Sequence, residues 1–274
     1  MPEFNSPPRG TLIAIGGHEE RTVANNDSDR VSNAILRRFV DELRGDGPVL
    51  VVPTASEYPE EAARDYVSVF TSLGVGEVVV FDVNERPRAS DPAALALLDR
   101  VSGVMLTGGD QLRLTALFGG TPWLRRLKER YQHDEFVVAG TSAGAACMGT
   151  PMIYRGRNNA GMRKDEIHIT TGLQLLPGVA IDTHFIKRGR IVRMAQIIAT
   201  NPGYVGLGLE EDTGVVVKNG RELEVIGSGL VTVLEGRESA GNIHKIEAGD
   251  VFSVRDLRLH LLGSGERYEL PEGS

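Results

Sequence analysis

The chain has 274 residues, of which 41% are hydrophobic, 24% are charged and 5% are aromatic. Its 30 Lys and Arg against 37 Asp and Glu give a formal net charge of -7, which argues against nucleic acid and anionic membranes as main partners. The single cysteine, Cys147, excludes an internal disulfide and a multi-cysteine zinc site, and we find neither a signal peptide nor an apolar run long enough to span a bilayer.

The first half of the chain alternates short apolar runs with stretches in which apolar residues recur every three or four positions. The apolar runs predict strands at residues 11–15, 49–52, 78–81, 103–106 and 136–139. The intervening stretches predict helices at residues 31–43, 60–73, 95–98, 112–117 and 124–131. This alternation is typical of βαβ crossovers, so the sequence predicts an α/β protein with a mainly parallel sheet.

The pattern changes after Thr150. Residues 155–166 are polar and predict an exposed loop or hairpin, and residues 191–199 predict a helix. From about residue 206 the sequence is β-rich, with runs at 207–209, 214–217, 223–226, 230–234 and 251–254 and a tight-turn signal at Asn219-Gly220. No linker separates this part, so we expect one domain over residues 11–274, preceded by ten residues that are disordered or left from cloning.

The sharpest motif follows the predicted strand 136–139. Residues 140–144, Gly-Thr-Ser-Ala-Gly, fit the G-x-S-x-G pattern of a nucleophile elbow, a sharp strand-to-helix turn that needs small flanking residues. We interpret Ser142 as a candidate nucleophile and the backbone N–H of Ala143 as an oxyanion donor. The alternative is that Ser142 only caps a helix packed on the strand.

A serine hydroxyl needs a base, and the chain has six histidines. His184 is the best candidate, because the apolar run before it places it at a strand end, where site residues of parallel sheets gather. His18 follows Gly16-Gly17 at another strand end and is a candidate for the pocket wall. We expect His133 and His168 to be exposed, and His244 and His260 to be structural.

Gly108-Gly109 follows a further predicted strand, and two glycines let the backbone approach a ligand closely. We expect Gly109 to supply the second oxyanion donor and Gln111 to contact the substrate. The alternative is a turn in which Asp110 caps the next helix.

Four basic residues lie within nine residues of His184: Lys187, Arg188, Arg190 and Arg193. Guanidinium groups bind carboxylates in a bidentate manner, so the cluster predicts an anionic substrate such as an aspartyl carboxylate. The alternative is a solvated helix face, or ion pairs with Glu210, Glu211 and Asp212.

Taken in order, these motifs resemble one family. They are Ile15-Gly16-Gly17, Val52-Pro53-Thr54-Ala55-Ser56, Thr107-Gly108-Gly109-Asp110-Gln111, Gly140-Thr141-Ser142-Ala143-Gly144-Ala145, Gly172 with Leu173 to Leu176, and Asp182-x-His184-Phe185-x-x-Arg188-x-Arg190-x-x-Arg193. Over residues 11–235 the chain is similar to the cyanophycinase family of serine peptidases, which also contains aspartyl dipeptidase.

The resemblance implies a three-layer, parallel-sheet fold like that of class I glutamine amidotransferases, with serine in place of the cysteine nucleophile. It implies a cytoplasmic homodimer that hydrolyses cyanophycin, a polyaspartate carrying arginine on each β-carboxyl, to β-Asp-Arg dipeptides. It makes Ser142 the nucleophile and His184 the base, with a substrate pocket formed by Gln111, Asp182, Thr183, Arg188, Arg190 and Arg193. Asp182 would suit a substrate guanidinium or amine. We expect no metal ion and no cofactor.

Two positions depart from the family's pattern. Thr183 stands where the family has glutamine, which shortens a pocket contact and points to a different substrate. The family's orienting glutamate aligns with Ala160, and the alternative acids are Asp165, Glu166 and Glu211. An orienting acid holds the tautomer of the histidine, so its loss would leave a slow enzyme or a silent one.

Two classes of function therefore stay open. The first is a serine exopeptidase or isopeptidase, including an aspartyl dipeptidase, that acts on peptides or polymers with aspartyl groups. The second is a catalytically weak or silent protein that binds an acidic peptide or metabolite. A glutamine amidotransferase would need cysteine at the elbow, whereas Cys147 comes five residues late, and the chain lacks the G-x-G-x-x-G spacing of a Rossmann oxidoreductase.

Overall fold

The computed structural model describes residues 6–21, 33–156 and 161–271, and everything below refers to these residues. The helices are α1 (Ala34–Glu42), α2 (Pro59–Ser72), α3 (Pro92–Arg100), α4 (Gln111–Phe118), α5 (Pro122–His133), α6 (Ala143–Ala146) and α7 (Ile191–Thr200). The first nine strands are β1 (Thr11–Ile15), β2 (Val49–Val52), β3 (Val78–Val80), β4 (Gly103–Leu106), β5 (Val137–Thr141), β6 (Gly149–Thr150), β7 (Met152–Arg155), β8 (His168–Thr170) and β9 (Leu176–Pro177). The others are β10 (Val179–Thr183), β11 (Val205–Leu209), β12 (Thr213–Lys218), β13 (Glu222–Gly227), β14 (Val231–Glu235), β15 (Ala240–Gly241), β16 (Val254–Arg255), β17 (Arg258–Leu262) and β18 (Arg267–Glu269).

The main sheet has eight strands in the order β18-β13-β12-β1-β5-β4-β2-β3. Strands β1, β5, β4, β2 and β3 pair in parallel, as the strand–helix alternation predicted. Strands β12, β13 and β18 extend the same sheet through antiparallel pairs. The prediction of a mixed α/β protein with a large, mostly parallel central sheet is confirmed.

Both faces of the parallel strands are buried, because successive side chains point to opposite sides of a sheet. In β1, Leu12 and Ala14 join one core, whereas Ile13 and Ile15 join the other. Helices α3, α4 and α5 supply buried side chains to the first core, and α1 and α2 supply them to the second. Helices therefore cover both faces and leave the strand ends to form a site.

A second sheet has the order β10-β11-β14-β17. Its strands β10 and β11 are parallel, with Thr183 opposite Leu209 at their carboxyl ends. The β-rich C-terminal part is thus divided between the two sheets. Its predicted tight turn is confirmed, because Asn219 and Gly220 have φ of +54° and +70° between β12 and β13.

Three segments differ from the sequence-based expectations or complete them. The predicted strand 251–254 is wrong: Val251 forms only an isolated bridge to Arg163, and β16 begins at Val254, because these residues are largely exposed and find little backbone to pair with. The polar segment after Thr150 is flanked by β7 and β8, which pair antiparallel as arms of a hairpin. Residues 6–10 are held against the end of α5, where Gly10 N–H donates to the Tyr131 carbonyl at 2.9 Å.

None of the helices in the described ranges combines the length and the apolar character needed to cross a membrane.

Candidate active site

Ser142 lies on the turn between β5 and α6, with φ +49° and ψ −108°. Its N–H donates to the carbonyl of Ile15 at 2.9 Å, which ties the turn to the end of β1. A Cβ at Gly140 would lie 2.5 Å from the Gly144 backbone, and one at Gly144 would lie 2.3 Å from the Leu106 carbonyl oxygen. The elbow therefore needs its small residues, and its strained serine is typical of a nucleophile elbow.

His184 follows β10 and lies directly against Ser142. Its Nε2 is 3.1 Å from the Ser142 Oγ, and the side chain is buried. The N–H of His184 donates to the carbonyl of Gly16 at 3.0 Å. Gly17 has φ +102°, and a Cβ there would lie 2.5 Å from the His184 Cε1. Gly17 is thus required because the imidazole packs on its backbone, and Gly16 is required because a Cβ there would lie 1.9 Å from the Glu210 carbonyl oxygen.

Glu211 completes a row of three polar side chains. Its Oε1 lies 2.7 Å from the His184 Nδ1, and it follows β11, the parallel neighbour of β10. Glu166, another alternative acid, instead accepts the N–H groups of Gly161 and Arg163 at 3.0 and 3.1 Å. Of the alternatives named from the sequence, Glu211 is the acid that contacts His184.

Two other positions named for the orienting acid are placed differently. Ala160, with which the family's glutamate aligned, lies outside the described residues. Asp165 lies in the turn just before Glu166 and has φ +70°.

The charges around His184 favour the state that a general base needs. Burial lowers the pKa of His184, assisted by the positive charge of Arg188, and the hydrogen bond to Glu211 opposes this shift. Burial would raise the pKa of Glu211, but hydrogen bonds from Lys187 and His184 outweigh it and bring the pKa to about 2. At neutral pH an ionised Glu211 therefore accepts a hydrogen bond from the Nδ1–H of His184, which leaves the Nε2 lone pair facing Ser142.

Glu210 shapes the turn after the histidine, a role that the sequence did not suggest. Its Oε2 accepts the N–H groups of Ile186 and Lys187 at 2.7 and 3.0 Å, and its Oε1 accepts the N–H of Glu211 at 3.0 Å. One carboxylate thus fixes the segments that carry His184 and Glu211 to each other.

A buried carboxylate, that of Glu19, lies next to the strand that carries the nucleophile. Glu19 is 4% exposed, accepts the Thr141 hydroxyl at 2.6 Å and also accepts the hydroxyl of Tyr66. Burial and the negative charge of Glu19 raise the pKa of Tyr66. Sequence reasoning missed these three residues, although Glu19 lies beside His18 at a strand end that was already a candidate site wall.

The glycine loop after β4 lies against the nucleophile. A Cβ at Gly108 would be 3.5 Å from the Ser142 Cβ, and Gly109 has φ +138° and a Cβ there would lie 1.9 Å from the Ala55 carbonyl oxygen. The Asp110 carboxylate also caps α4, accepting the Leu112 N–H at 2.8 Å, so the capping alternative is present in the same loop. Ala143 follows Ser142 in the chain and Gly109 follows the glycine that lies against it, and the oxyanion roles of Ala143 and Gly109 stay predictions.

Asp182 forms a buried ionic cluster with two arginines. The carboxylate is 2% exposed and accepts hydrogen bonds from Nε and Nη2 of Arg193, which is 6% exposed. Arg190 Nη1 donates to the same carboxylate at 3.0 Å and to the Thr183 carbonyl at 2.6 Å. In this geometry Asp182 orients the arginines, and its direct contact with a substrate group stays a prediction.

The other predicted pocket residues have different surroundings. Arg188 is exposed, and its N–H donates to the His184 carbonyl at 3.0 Å. The Nε of Arg190 is buried without a partner among the described residues. Gln111 donates from its amide to the Ile153 carbonyl at 2.7 Å, which links α4 to β7, and Thr183 is 4% exposed.

The histidines outside this site agree in part with the expectations. His133 and His168 are exposed. His260 lies 3.0 Å from a carboxylate oxygen of Glu235, whereas His244 is exposed rather than packed. His18 lies beside His184, with ring centroids 5.4 Å apart.

The sequence is similar to a family of peptidases and to individual cyanophycinases. The profile of Peptidase family S51 matches residues 22–225. A cyanophycinase of Geminocystis herdmanii (strain PCC 6308) is 34% identical over 262 residues, covering 95% of this chain and 93% of the relative. A cyanophycinase of Synechococcus elongatus is 35% identical over 268 residues, covering 97% of this chain and 81% of the relative.

Solved structures with the same fold are also peptidases by name. The crystal structure of a peptidase from an acI-B1 Actinobacterium matches with a TM-score of 0.69 and 20% identity, covering 97% of this chain and 99% of that one. A putative peptidase E from Listeria monocytogenes EGD-e matches with a TM-score of 0.52 and 16% identity, covering 80% of this chain and 98% of that one.

Proposed function

The chain belongs to Peptidase family S51 and is therefore a peptidase, and we propose that Ser142, His184 and Glu211 are its catalytic triad. The observation that carries the proposal is the continuous contact from the Ser142 Oγ through both ring nitrogens of His184 to Glu211, at 3.1 and 2.7 Å. The same order of nucleophile, base and orienting acid recurs on unrelated hydrolase folds.

In the first step, His184 Nε2 takes the proton of Ser142 while Oγ attacks the scissile carbonyl carbon. The ionised Glu211 stabilises the imidazolium that forms, and the N–H groups of Ala143 and Gly109 stabilise the oxyanion. The intermediate collapses when the imidazolium gives its proton to the leaving amine. Water then attacks the acyl-enzyme with His184 again as base, which releases the second product and restores Ser142.

The substrate we propose carries aspartyl groups, as in cyanophycin. Two curated cyanophycinases that are 34% and 35% identical to the chain support this class of substrate. Arg188 is exposed and lies four residues after His184, so its guanidinium offers donors for a substrate carboxylate. Asp182 pairs with Arg190 and Arg193 and so fixes the segment between β10 and α7 that carries Arg188, while direct contacts of Arg190 and Arg193 with a substrate carboxylate stay predictions.

Further features of the resemblance belong to the same proposal. The central sheet with helices on both faces is compatible with a fold related to class I glutamine amidotransferases. The homodimer, the cytoplasmic location and the single-domain organisation stay predictions.

The proposal is tested by incubating the protein with insoluble cyanophycin, with β-Asp-Arg and with α-aspartyl peptides, and identifying products by mass. We expect β-Asp-Arg to be released from the polymer by the unaltered protein and not by Ser142→Ala. Cleavage of the α-aspartyl peptides alone would make the protein an aspartyl dipeptidase. Binding of the polymer without any product would support the silent binding protein instead.

A further inference from the structure

Three side chains of metal-binding types meet beside the nucleophile: two members of the proposed triad and the exposed His18. One donor atom from each of His18, His184 and Glu211 lies within 4.8 Å of the others. The His18 Nε2 is 3.7 Å from the Glu211 Oε1, and the His184 Nδ1 is 2.7 Å from the same oxygen. Across the described ranges, no other group of three such donors comes this close.

The distances are near those of a tetrahedral zinc site. Zinc bonds to imidazole nitrogen and carboxylate oxygen are about 2.0–2.2 Å long, so two ligand atoms of one site lie about 3.4 Å apart. The pair formed by His18 and Glu211 is already near that spacing. The pair formed by His184 and Glu211 would widen slightly once the proton between them has left. His18 is 67% exposed, so its ring is free to adjust as the other two donors move apart.

We propose that His18, His184 and Glu211 form a Zn²⁺ site that reversibly inhibits the enzyme. Two imidazoles and one carboxylate leave a fourth position for water, which is the common pattern of three protein ligands. The site differs from the triad because it needs His18, which the proposed mechanism does not use. The three donors of this site follow three separate strands, so they form no motif in the sequence. For that reason the sequence analysis expected no metal.

Inhibition follows from the tautomer of His184. A neutral imidazole carries one N–H, and in the resting triad that N–H is on Nδ1 and points at Glu211. Zinc binds a ring nitrogen through its lone pair, so Nδ1 must give up its proton. The one proton of the neutral ring is then carried on Nε2. The Nε2–H then donates to Ser142 and cannot accept the hydroxyl proton, and Glu211 is held by the metal.

The donor set also predicts which ions act. Imidazole suits zinc and neighbouring transition metals, whereas Mg²⁺ and Ca²⁺ prefer oxygen ligands. Lys187 contacts the other oxygen of Glu211, and its positive charge opposes cation binding. Since Lys187 is 61% exposed, it can turn away, at a cost in affinity.

Calorimetric titration with ZnCl₂ tests the site without depending on the proposed function. The Ser142→Ala variant keeps all three donors. We therefore expect it to bind one Zn²⁺ per chain, which EDTA removes, and not to bind Mg²⁺. Adding His18→Gln should weaken binding by about tenfold or more, since even residues that only hold a zinc ligand in place are worth about that much. His244→Gln, which removes another exposed imidazole, should not. Equal affinity with and without His18, or no binding, would overturn the proposal.

A second measurement links the site to inhibition and rests on the proposed function. The ratio of hydrolysis rates with and without Zn²⁺ should fall well below one in the unaltered protein, recover with EDTA, and stay near one in His18→Gln. Inhibition that persists in His18→Gln would place the metal elsewhere. If no substrate is turned over at all, the proposed function fails while the calorimetry still decides the zinc site.

Discussion

Glu211 Oε1 lies 2.7 Å from His184 Nδ1, and the two residues follow parallel neighbouring strands of the second sheet. The register that pairs Thr183 with Leu209 brings the loops after both strands to one edge. The acid and the base of the proposed triad are therefore positioned by a single strand pair, and Ser142 reaches them from the main sheet.

Glu211→Gln should lower kcat by about 10²- to 10⁴-fold with little change in KM, because the neutral amide neither fixes the tautomer of His184 nor stabilises the imidazolium. Steady-state kinetics on the substrate identified by product analysis measure the effect. Glu166→Gln is the matched control, since Glu166 binds backbone amides of its own loop.

Ala160→Glu extends this comparison. If Glu211 is the orienting acid, a glutamate at position 160 should bring no gain in kcat. An active Glu211→Gln variant together with an inactive Glu166→Gln variant, or a large gain from Ala160→Glu, would assign the acid to the loop after the elbow.

The arginines near the site should separate into a structural one and a substrate-binding one. Arg193→Ala leaves the buried Asp182 short of its main partner, so it should lower the free energy of unfolding by about 3–5 kcal/mol, measured by urea denaturation. Arg188→Ala removes an exposed side chain and should change stability by no more than about 0.5 kcal/mol.

The same two variants differ in their kinetics. Arg188→Ala should raise KM for acidic substrates by about tenfold or more, which corresponds to a lost charge-assisted contact of about 1.5–3 kcal/mol. If Arg188→Ala leaves KM unchanged, Arg188 is a solvated side chain of the turn before α7.

Glu42 provides a test of the fold through pH. Burial would raise its pKa, but hydrogen bonds from Lys218 and Arg38 outweigh burial, so the pKa is lowered from its ordinary value of 4.5. A lowered folded-state pKa contributes stability above the unfolded value and loses it as pH falls through the folded value. Near neutral pH, Glu42→Gln should therefore cost about 1–3 kcal/mol, and the cost should shrink as the pH falls below 4.5 and through the lowered folded-state pKa.

Urea denaturation of Glu42→Gln across this pH range measures the effect. Glu57→Gln, at an exposed carboxylate, is the control that should change little. A cost for Glu42→Gln that is constant with pH would mean that α1 and β12 are not joined by this ion pair.

The sequence predicts the central sheet well because its strands are buried on both faces. Val49–Val52 is apolar throughout, and a run of that kind between helical patterns has few other solutions. The elbow at Ser142 is predicted equally well, since the small residues around it form one short motif. The strand predicted at 251–254 fails because an apolar run does not reveal whether a partner strand is present.

The sequence predicts the site only in part. His184 and Glu211 were both candidates, but their contact depends on the pairing of β10 with β11, which are separated along the chain by α7. Glu19 is 122 residues from Thr141, and a polar contact over that separation leaves no local pattern. The buried state of Asp182 is also invisible in a sequence that places three arginines after it.

If His184 and Glu211 activate Ser142, the serine should react with a fluorophosphonate, which labels activated nucleophiles covalently. Intact-protein mass spectrometry should detect one adduct per chain, and peptide mapping should place it on Ser142. Labelling should be absent in Ser142→Ala and much slower in Glu211→Gln, whereas Glu166→Gln should label at the rate of the unaltered protein. An unaltered protein that forms no adduct, or an adduct that persists in Ser142→Ala, would contradict the account.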